Sequence, residues 1–444
     1  MRVARRFRSS VSARGGLSFF PLFLLAGFLL GAALIATGGC SPPAESLIVA
    51  TSGDYPPFSQ IRKSTADLPE GYGPDLIRAY ARDRGLEIQF VPFRWPALLQ
   101  DLRAERFDVA VGGITIRPER ILAGRFSVPV AQSGAIALVD NASPWREISE
   151  LDQPAVRIAV NRGGHLERVT RERFPRAQIF AVDDNGRVLD ELITGRVDAV
   201  VTDTLEAPLW QIEAPATRAL GPFTQDRKAF LLPPDRTDLA SDLDTWLMAR
   251  AEAGDLSQWR TRALGPQHAQ PEPALPWPAL LAALDARLSL MPAVAEAKRR
   301  SGAPVEDPER EQRVLAAAVA RIQTNAPAQG FNRNEERKKA LLLLFRAQIE
   351  AAKAVQIATL AQPPSPEFED APPDLDQVLR PALIRIGEQI SQRVVSLPPD
   401  IDPQMIRQNL QDSLADYALE ERLVEELVAG LLAVAQSNAP PDVQ

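Results

Sequence analysis

The feature that most constrains this chain is a change of hydrophobic period partway along it. Up to Gly265-Pro266 short β-rich runs alternate with helical patterns; beyond a proline-rich stretch, apolar residues recur only at helical spacing. The β-rich runs fall at 47–50, 88–91, 109–111, 135–139, 156–160, 179–182, 199–201 and 230–232. Helical patterns lie between them near 74–84, 96–104, 166–174, 186–195 and 239–252. That rhythm predicts an α/β body over 46–268 with mostly parallel strands. Pro271, Pro273, Pro276 and Pro278 mark 269–278 as a linker. Leu280, Leu284, Leu288, Met291 and Ala295 then open an apolar stripe that resumes in 310–322, 337–360, 375–394 and 403–437, which predicts an all-α body over 279–440.

The first 40 residues read as an address. Arg2, Arg5, Arg6, Arg8 and Arg14 precede an apolar run from Leu17 to about Ala36, the pattern of an export signal. Thr37-Gly38-Gly39-Cys40 resembles a bacterial lipoprotein processing site, so Cys40 is the expected lipidation residue and the body is expected in the periplasm, lipid-anchored to a membrane. A plain signal peptide or an uncleaved anchor is the alternative.

Composition excludes several function classes. One Cys and two His leave no disulfide framework and no Cys/His zinc site, so metal-dependent chemistry would have to use carboxylates; the reactions implied below require no metal or cofactor. Without the five leading arginines the chain carries 45 basic against 57 acidic groups, a poor partner for nucleic acid.

Within 46–268, "TSGDYPPFS" at 51–59, "GGITIRPER" at 112–120, "FSVPV" at 126–130 and "TDTLEA" at 202–207 resemble the two-lobed periplasmic-binding-protein fold (type II) that carries amino acids. The resemblance implies a carboxylate ligand at Arg120 assisted by Thr115, an aromatic wall at Tyr55, and Asp203 facing from the other lobe, with Asp54 and Asn161 in the same substrate-binding set. Further stretches, "RWPALL" at 94–99, "DQPAVRIAVNRGG" at 152–164, "TDTLEAPLW" at 202–210 and "KAFLLPPD" at 228–235, resemble cyclohexadienyl dehydratase, a lyase acting on prephenate and arogenate. Loss of water from such a ring needs an acid for the departing hydroxyl, and a carboxyl buried among apolar groups stays protonated for that role. The resemblance places Glu206 there, with Trp95 as pocket wall; His165 reads as a loop residue.

In the second body, "ARLSLMPAVAEAKRRSGAPVEDPERE" at 286–311 sets Arg287 and Lys298 about three turns apart on one helical face, with Pro292 expected to kink that helix. Asp307, Arg310 and Glu311 follow at i, i+3 and i+4. "FRAQIEAAKAVQ" at 345–356 adds Gln356, and "LRPALIRIGEQI" at 379–390 adds Arg385. The set resembles the secreted class of all-helical chorismate mutases. A Claisen rearrangement needs only a substrate held as a chair and stabilisation of charge on the breaking ether oxygen. The resemblance implies Lys298 and Gln356 at that oxygen, Arg287 and Arg385 on carboxylates, Glu311 on the ring hydroxyl, and Arg310 and Asp307 lining the cavity. In that class each chain builds its own site, so a monomer suffices.

The mutase product, prephenate, is the dehydratase substrate. The expected function is therefore a bifunctional exported enzyme of phenylalanine biosynthesis working on chorismate, prephenate and possibly arogenate. The alternative is a chorismate mutase fused to a non-catalytic amino-acid-binding lipoprotein domain.

Overall fold

The computed structural model describes residues 46–61, 68–266, 276–325, 331–364 and 372–439. Cys40, the export segment and most of the proline-rich linker lie outside the described residues.

Two five-strand sheet paths form two lobes. The first runs Glu87–Pro92, Ser46–Thr51, Val109–Thr115, Asp226–Leu232 and Arg125–Phe126, with Ala131–Ser133 also on Asp226–Leu232. The second runs Gln178–Val182, Arg157–Asn161, Ala199–Asp203, Ala135–Asp140 and Thr217–Leu220. Val109–Thr115 and Ala199–Asp203 are buried at every position, as strands covered on both faces must be.

The expectation of mostly parallel strands needs correction. Only three adjacent strands in each sheet pair in parallel; Ala135–Asp140, Thr217–Leu220 and Asp226–Leu232 run antiparallel to their neighbours. The reason is the crossing between lobes. The chain leaves the first sheet after Ala131–Ser133 and returns between Leu220 and Asp226, so the crossing strands meet each lobe in reverse. At the outward crossing, a Cβ on Gly134 would lie 2.5 Å from the Thr224 carbonyl oxygen, so only glycine lets the two crossing segments touch.

Beyond Leu232 no strand occurs among the described residues. The helical body comprises Pro276–Ser289, Met291–Ser301, Pro308–Asn325, Phe331–Leu360, Arg380–Val394, Pro403–Ser413 and Glu421–Ser437. Phe331–Leu360 packs along Glu421–Ser437 through Leu341, Leu344, Phe345, Leu427 and Leu431. The expected kink at Pro292 is a full break: the chain turns at Leu290, and Pro292 sits in the first turn of the next helix, where a missing N–H costs nothing. The run Trp277–Ser301 is apolar enough to cross a membrane, yet 72% of its most apolar 18-residue window is buried, which makes it a core element here.

The two bodies share one hydrophobic core. Ile121 and Phe126 of the first lobe join Ala283, Ala286, Ala382 and Ile386 in a single buried cluster. Polar contacts close its edge: Arg227 pairs with Asp285 at 2.5 Å, and the Asp285 carboxylate also accepts from Tyr417 at 2.6 Å. Buried Arg393 donates to the Ala279 carbonyl at 2.8 Å and pairs with Asp244 at 3.2 Å.

Candidate functional site

The first cavity lies between the lobes and is lined by Tyr55, Trp95, Thr115, Arg120, Asn161 and Asp203, with Glu206 at its wall. Groups from opposite lobes bond across it. The Tyr55 hydroxyl donates to Asp203 Oδ2, and Asn185 Nδ2 donates to the Asp54 carbonyl at 3.0 Å. Gly113, at φ +78°, backs the Tyr55 ring so closely that a Cβ would meet it at 2.5 Å.

Arg120 comes from the short helix Pro118–Ala123, is 4% exposed, and donates to the Thr115 carbonyl at 2.9 Å while lying over the Trp95 ring. Burial first, then Arg117, pulls its pKa down to about 9, so it remains a cation at neutral pH. Asp54 does not line the cavity; its carboxylate orients Trp95 through the indole N–H at 3.3 Å.

Glu206 is 1% exposed and stands where the strand Ala199–Asp203 turns into the helix Ala207–Glu213. Its Oε1 accepts from Asn185 Nδ2 at 2.8 Å and its Oε2 from the Thr202 hydroxyl at 2.7 Å. Burial lifts its pKa well above the carboxylate range, with Asp203 and Asp54 adding to the rise and the two hydrogen bonds opposing it. Burial therefore favours its neutral form, in contrast to a solvated carboxylate at a helix start.

Sequence reasoning missed four groups here: Lys228, Asn185, Thr202 and His165. Lys228 heads the quoted "KAFLLPPD" motif and could have been found there. His165 is not a loop residue. It opens the helix His165–Arg173, lines the cavity, and its Nε2 lies 2.7 Å from Asp226 Oδ1 across the lobes. Burial lowers the His165 pKa despite Asp226.

The second cavity lies in the helical body and is the roomier of the two. Arg287, Lys298, Asp307, Arg310, Glu311 and Gln356 all line it. Arg287 and Lys298 do so from two different helices, because the break at Leu290 separates them. Lys298 Nζ donates to the Val305 carbonyl at 3.0 Å. Burial, then Arg310 and Arg380, lowers its pKa. Burial and Arg310 pull Arg287 down to about 10, and its buried Nε has no partner. Asp307 Oδ1 caps its helix by accepting from the Arg310 backbone N–H at 3.0 Å. Gln356, 5% exposed, donates to the Ala352 carbonyl at 3.1 Å, and its Oε1 is buried without a partner.

Arg385 is not in this cavity. Its guanidinium donates to the Ile121 and Leu122 carbonyls of the α/β body at 3.2 and 3.3 Å. Arg380 takes the cavity position, with Nε buried and unpartnered and its guanidinium paired with Asp376. Five residues on a helix rotate the side chain by about 140°, so the two arginines of "LRPALIRIGEQI" face opposite ways. Lys353, also missed, lies 3.8 Å from Glu311. Replacing Arg385 by Ala is expected to cost about 1–3 kcal/mol of stability and leave ligand binding in this cavity unchanged; thermal unfolding and calorimetry check both.

Residues 47–266 match the family described as bacterial extracellular solute-binding proteins, family 3, and residues 278–357 match chorismate mutase type II. Cyclohexadienyl dehydratase of Pseudomonas aeruginosa is 33% identical over 217 residues, 48% of this chain and 80% of the relative. The L-cystine-binding protein of Escherichia coli (strain K12) is 29% identical over 162 residues, 36% of this chain and 60% of the relative. Among solved structures, an ancestral amino-acid-binding protein described as a precursor of cyclohexadienyl dehydratase is 29% identical, with a TM-score of 0.47, covering 49% of this chain and 95% of its own.

Proposed function

The chain belongs to family 3 of the bacterial extracellular solute-binding proteins and continues into a segment, residues 278–357, that matches chorismate mutase type II, and from that premise we propose a bifunctional enzyme that converts chorismate to prephenate and prephenate to phenylpyruvate. We also place it outside the cytoplasm, anchored by lipid at Cys40.

The first step occurs in the helical cavity. The ether C–O bond breaks as a C–C bond forms, with no proton to move, so holding the chair and balancing charge are the whole task. Arg287, Arg310 and Arg380 bind the two carboxylates, Lys298 and Gln356 face the ether oxygen, and Glu311 accepts from the ring hydroxyl. A single chain supplies all of these residues.

The second step occurs between the lobes. Arg120 anchors the side-chain carboxylate and Trp95 covers the ring. Glu206 protonates the departing hydroxyl, the C–O bond breaks to release water, and the electron pair of the ring carboxylate bond enters the ring as CO2 leaves. Glu206 then regains its proton from solvent.

The observation that carries this reading is the buried acid Glu206 in the same chain as a cavity lined by Arg287, Lys298, Arg310 and Arg380. Chorismate supplied to the full chain is expected to disappear with phenylpyruvate formed in equal amount. Prephenate accumulating as the end product would leave the mutase and reduce the α/β body to a binding module.

A further inference from the structure

The short helix Pro118–Ala123 carries the proposed carboxylate anchor, Arg120, and an anchor works only where it is aimed. Six residues are too few for a helix to hold itself, so its placement comes from outside. The leading end is fixed by its own chain: Pro118 sits in the first turn, and the Arg117 carbonyl accepts from the Arg120 and Ile121 N–H groups at 3.1 and 2.9 Å. The trailing end of a helix leaves carbonyls that no donor within it can reach. Two of these, on Ile121 and Leu122, accept from the same nitrogen of Arg385, Nη2, at 3.2 and 3.3 Å.

Arg385 belongs to the helical body. The helix Arg380–Val394 is a wall shared by both bodies: Arg380, Leu383, Ile384 and Gly387 line the helical cavity, while Arg385, Ile386, Gln389 and Arg393 face the seam with the first lobe. The three polar side chains on the seam have different partners. Arg393 pairs with Asp244 at 3.2 Å, and Gln389 donates at 2.9 Å to the Phe126 carbonyl, past the end of the short helix. Arg385 is the one of the three that reaches the helix carrying Arg120. Its charge also suits that end, where side-chain cations bond the last carbonyls.

We infer that Arg385 is a positioning residue for the cleft: from the helical body it caps the helix that carries Arg120, and so sets the grip of the α/β site on a carboxylate. The inference rests on the reading of Arg120 as that anchor. It makes the helical body a working part of a site that it does not line. An anchor that holds substrate and transition state alike raises KM and leaves kcat unchanged when it loosens, and this split is the signature of the role.

The test measures kcat and KM for conversion of prephenate to phenylpyruvate by the full chain, in wild type, Arg385→Met, Arg385→Lys and Gln389→Leu, each with its thermal unfolding curve. Met keeps an apolar stem on the seam and removes the donors. Arg385→Met is expected to raise KM by about tenfold, as for loss of an outer partner that orients a binding group, with kcat unchanged. Arg385→Lys again offers several N–H donors from one nitrogen and should recover most of that loss. Gln389→Leu loosens the same seam and should lower the unfolding temperature while leaving KM alone. A merely structural Arg385 would behave like Gln389, with less folded enzyme and a smaller apparent kcat at the same KM. Unchanged KM in Arg385→Met, an equal rise in Gln389→Leu, or no recovery in Arg385→Lys overturns the inference. Should Arg385→Met not fold, Arg385→Gln, polar but too short for the two carbonyls, takes its place.

If wild type forms no phenylpyruvate from prephenate, the dehydratase reading fails and binding decides the role of Arg385. Calorimetry then compares wild type with Arg385→Met, using L-phenylalanine and L-arginine as an aromatic and a cationic carboxylate. Weaker binding of either one by Arg385→Met, with Gln389→Leu binding as wild type does, upholds the role. Equal binding by all three proteins, or no binding of either probe by wild type, overturns it.

Discussion

Glu206→Gln is expected to lower the dehydratase kcat by about 10²–10⁴-fold, the usual contribution of a positioned general acid, so that chorismate fed to the variant accumulates as prephenate. The amide is isosteric and keeps a carbonyl for Thr202 or Asn185, so the fold persists while the transferable proton is gone. The pH dependence separates this from simple disruption. Wild-type dehydration should fall as pH rises through the elevated Glu206 pKa, because only the neutral acid can donate. That limb should vanish in the residual activity of the variant. Stability follows the same sign: an acid whose folded pKa is raised disfavours the native state as pH climbs from the ordinary carboxylate range toward the folded value. Unfolding measured across that window should show the decline in wild type and a flatter profile in Glu206→Gln. Equal dehydratase rates in the two proteins would remove Glu206 from the mechanism.

Lys298→Ala should abolish most mutase activity, by about 2.7–4 kcal/mol of barrier or 10²–10³ in kcat, as for loss of a donor at a developing oxyanion. Burial, then the nearby Arg310 and Arg380, makes the Lys298 charge costly and lowers its pKa. That repulsion is relieved when a dianionic substrate enters. The substitution therefore removes both a donor and part of the cavity's positive field, and both kcat and kcat/KM should drop. Among the described residues the hydrogen bond of Lys298 Nζ is to the Val305 carbonyl, a group that solvent or substrate can replace, so stability should change little. Prephenate added directly should still be dehydrated by this variant at the wild-type rate, since the other cavity is built from different elements. Chorismate consumed at the wild-type rate would exclude Lys298 from the site.

Much of this molecule was legible in its sequence, and the misses share a cause. The eight β-rich runs coincide with strands, and the helical stripes beyond Pro266 coincide with helices, because periods of 2 and 3.6 residues are local properties of the chain. The short strands Asp54–Tyr55, Ser59–Ile61 and Pro69–Glu70 were not predicted; runs of two or three residues carry no period. Of the mutase set, Arg287, Lys298, Asp307, Arg310, Glu311 and Gln356 do meet in one cavity. The motif at 379–390 offered two arginines, and spacing alone could not say which one faces inward.

The sequence by itself determined the two fold classes and the local turns that carry each acid and cation, because backbone period, proline placement and helical spacing act within a few residues. Tertiary structure alone decided that Arg380 enters the helical cavity while Arg385 grips the α/β body. It alone brought Lys228 from one lobe onto Asp203 of the other, and set His165 against Asp226. Those pairings join segments that no local rule connects. Burial then sets their chemistry, since removal of water favours the neutral form of Glu206 and leaves Asp203 to the donors packed around it.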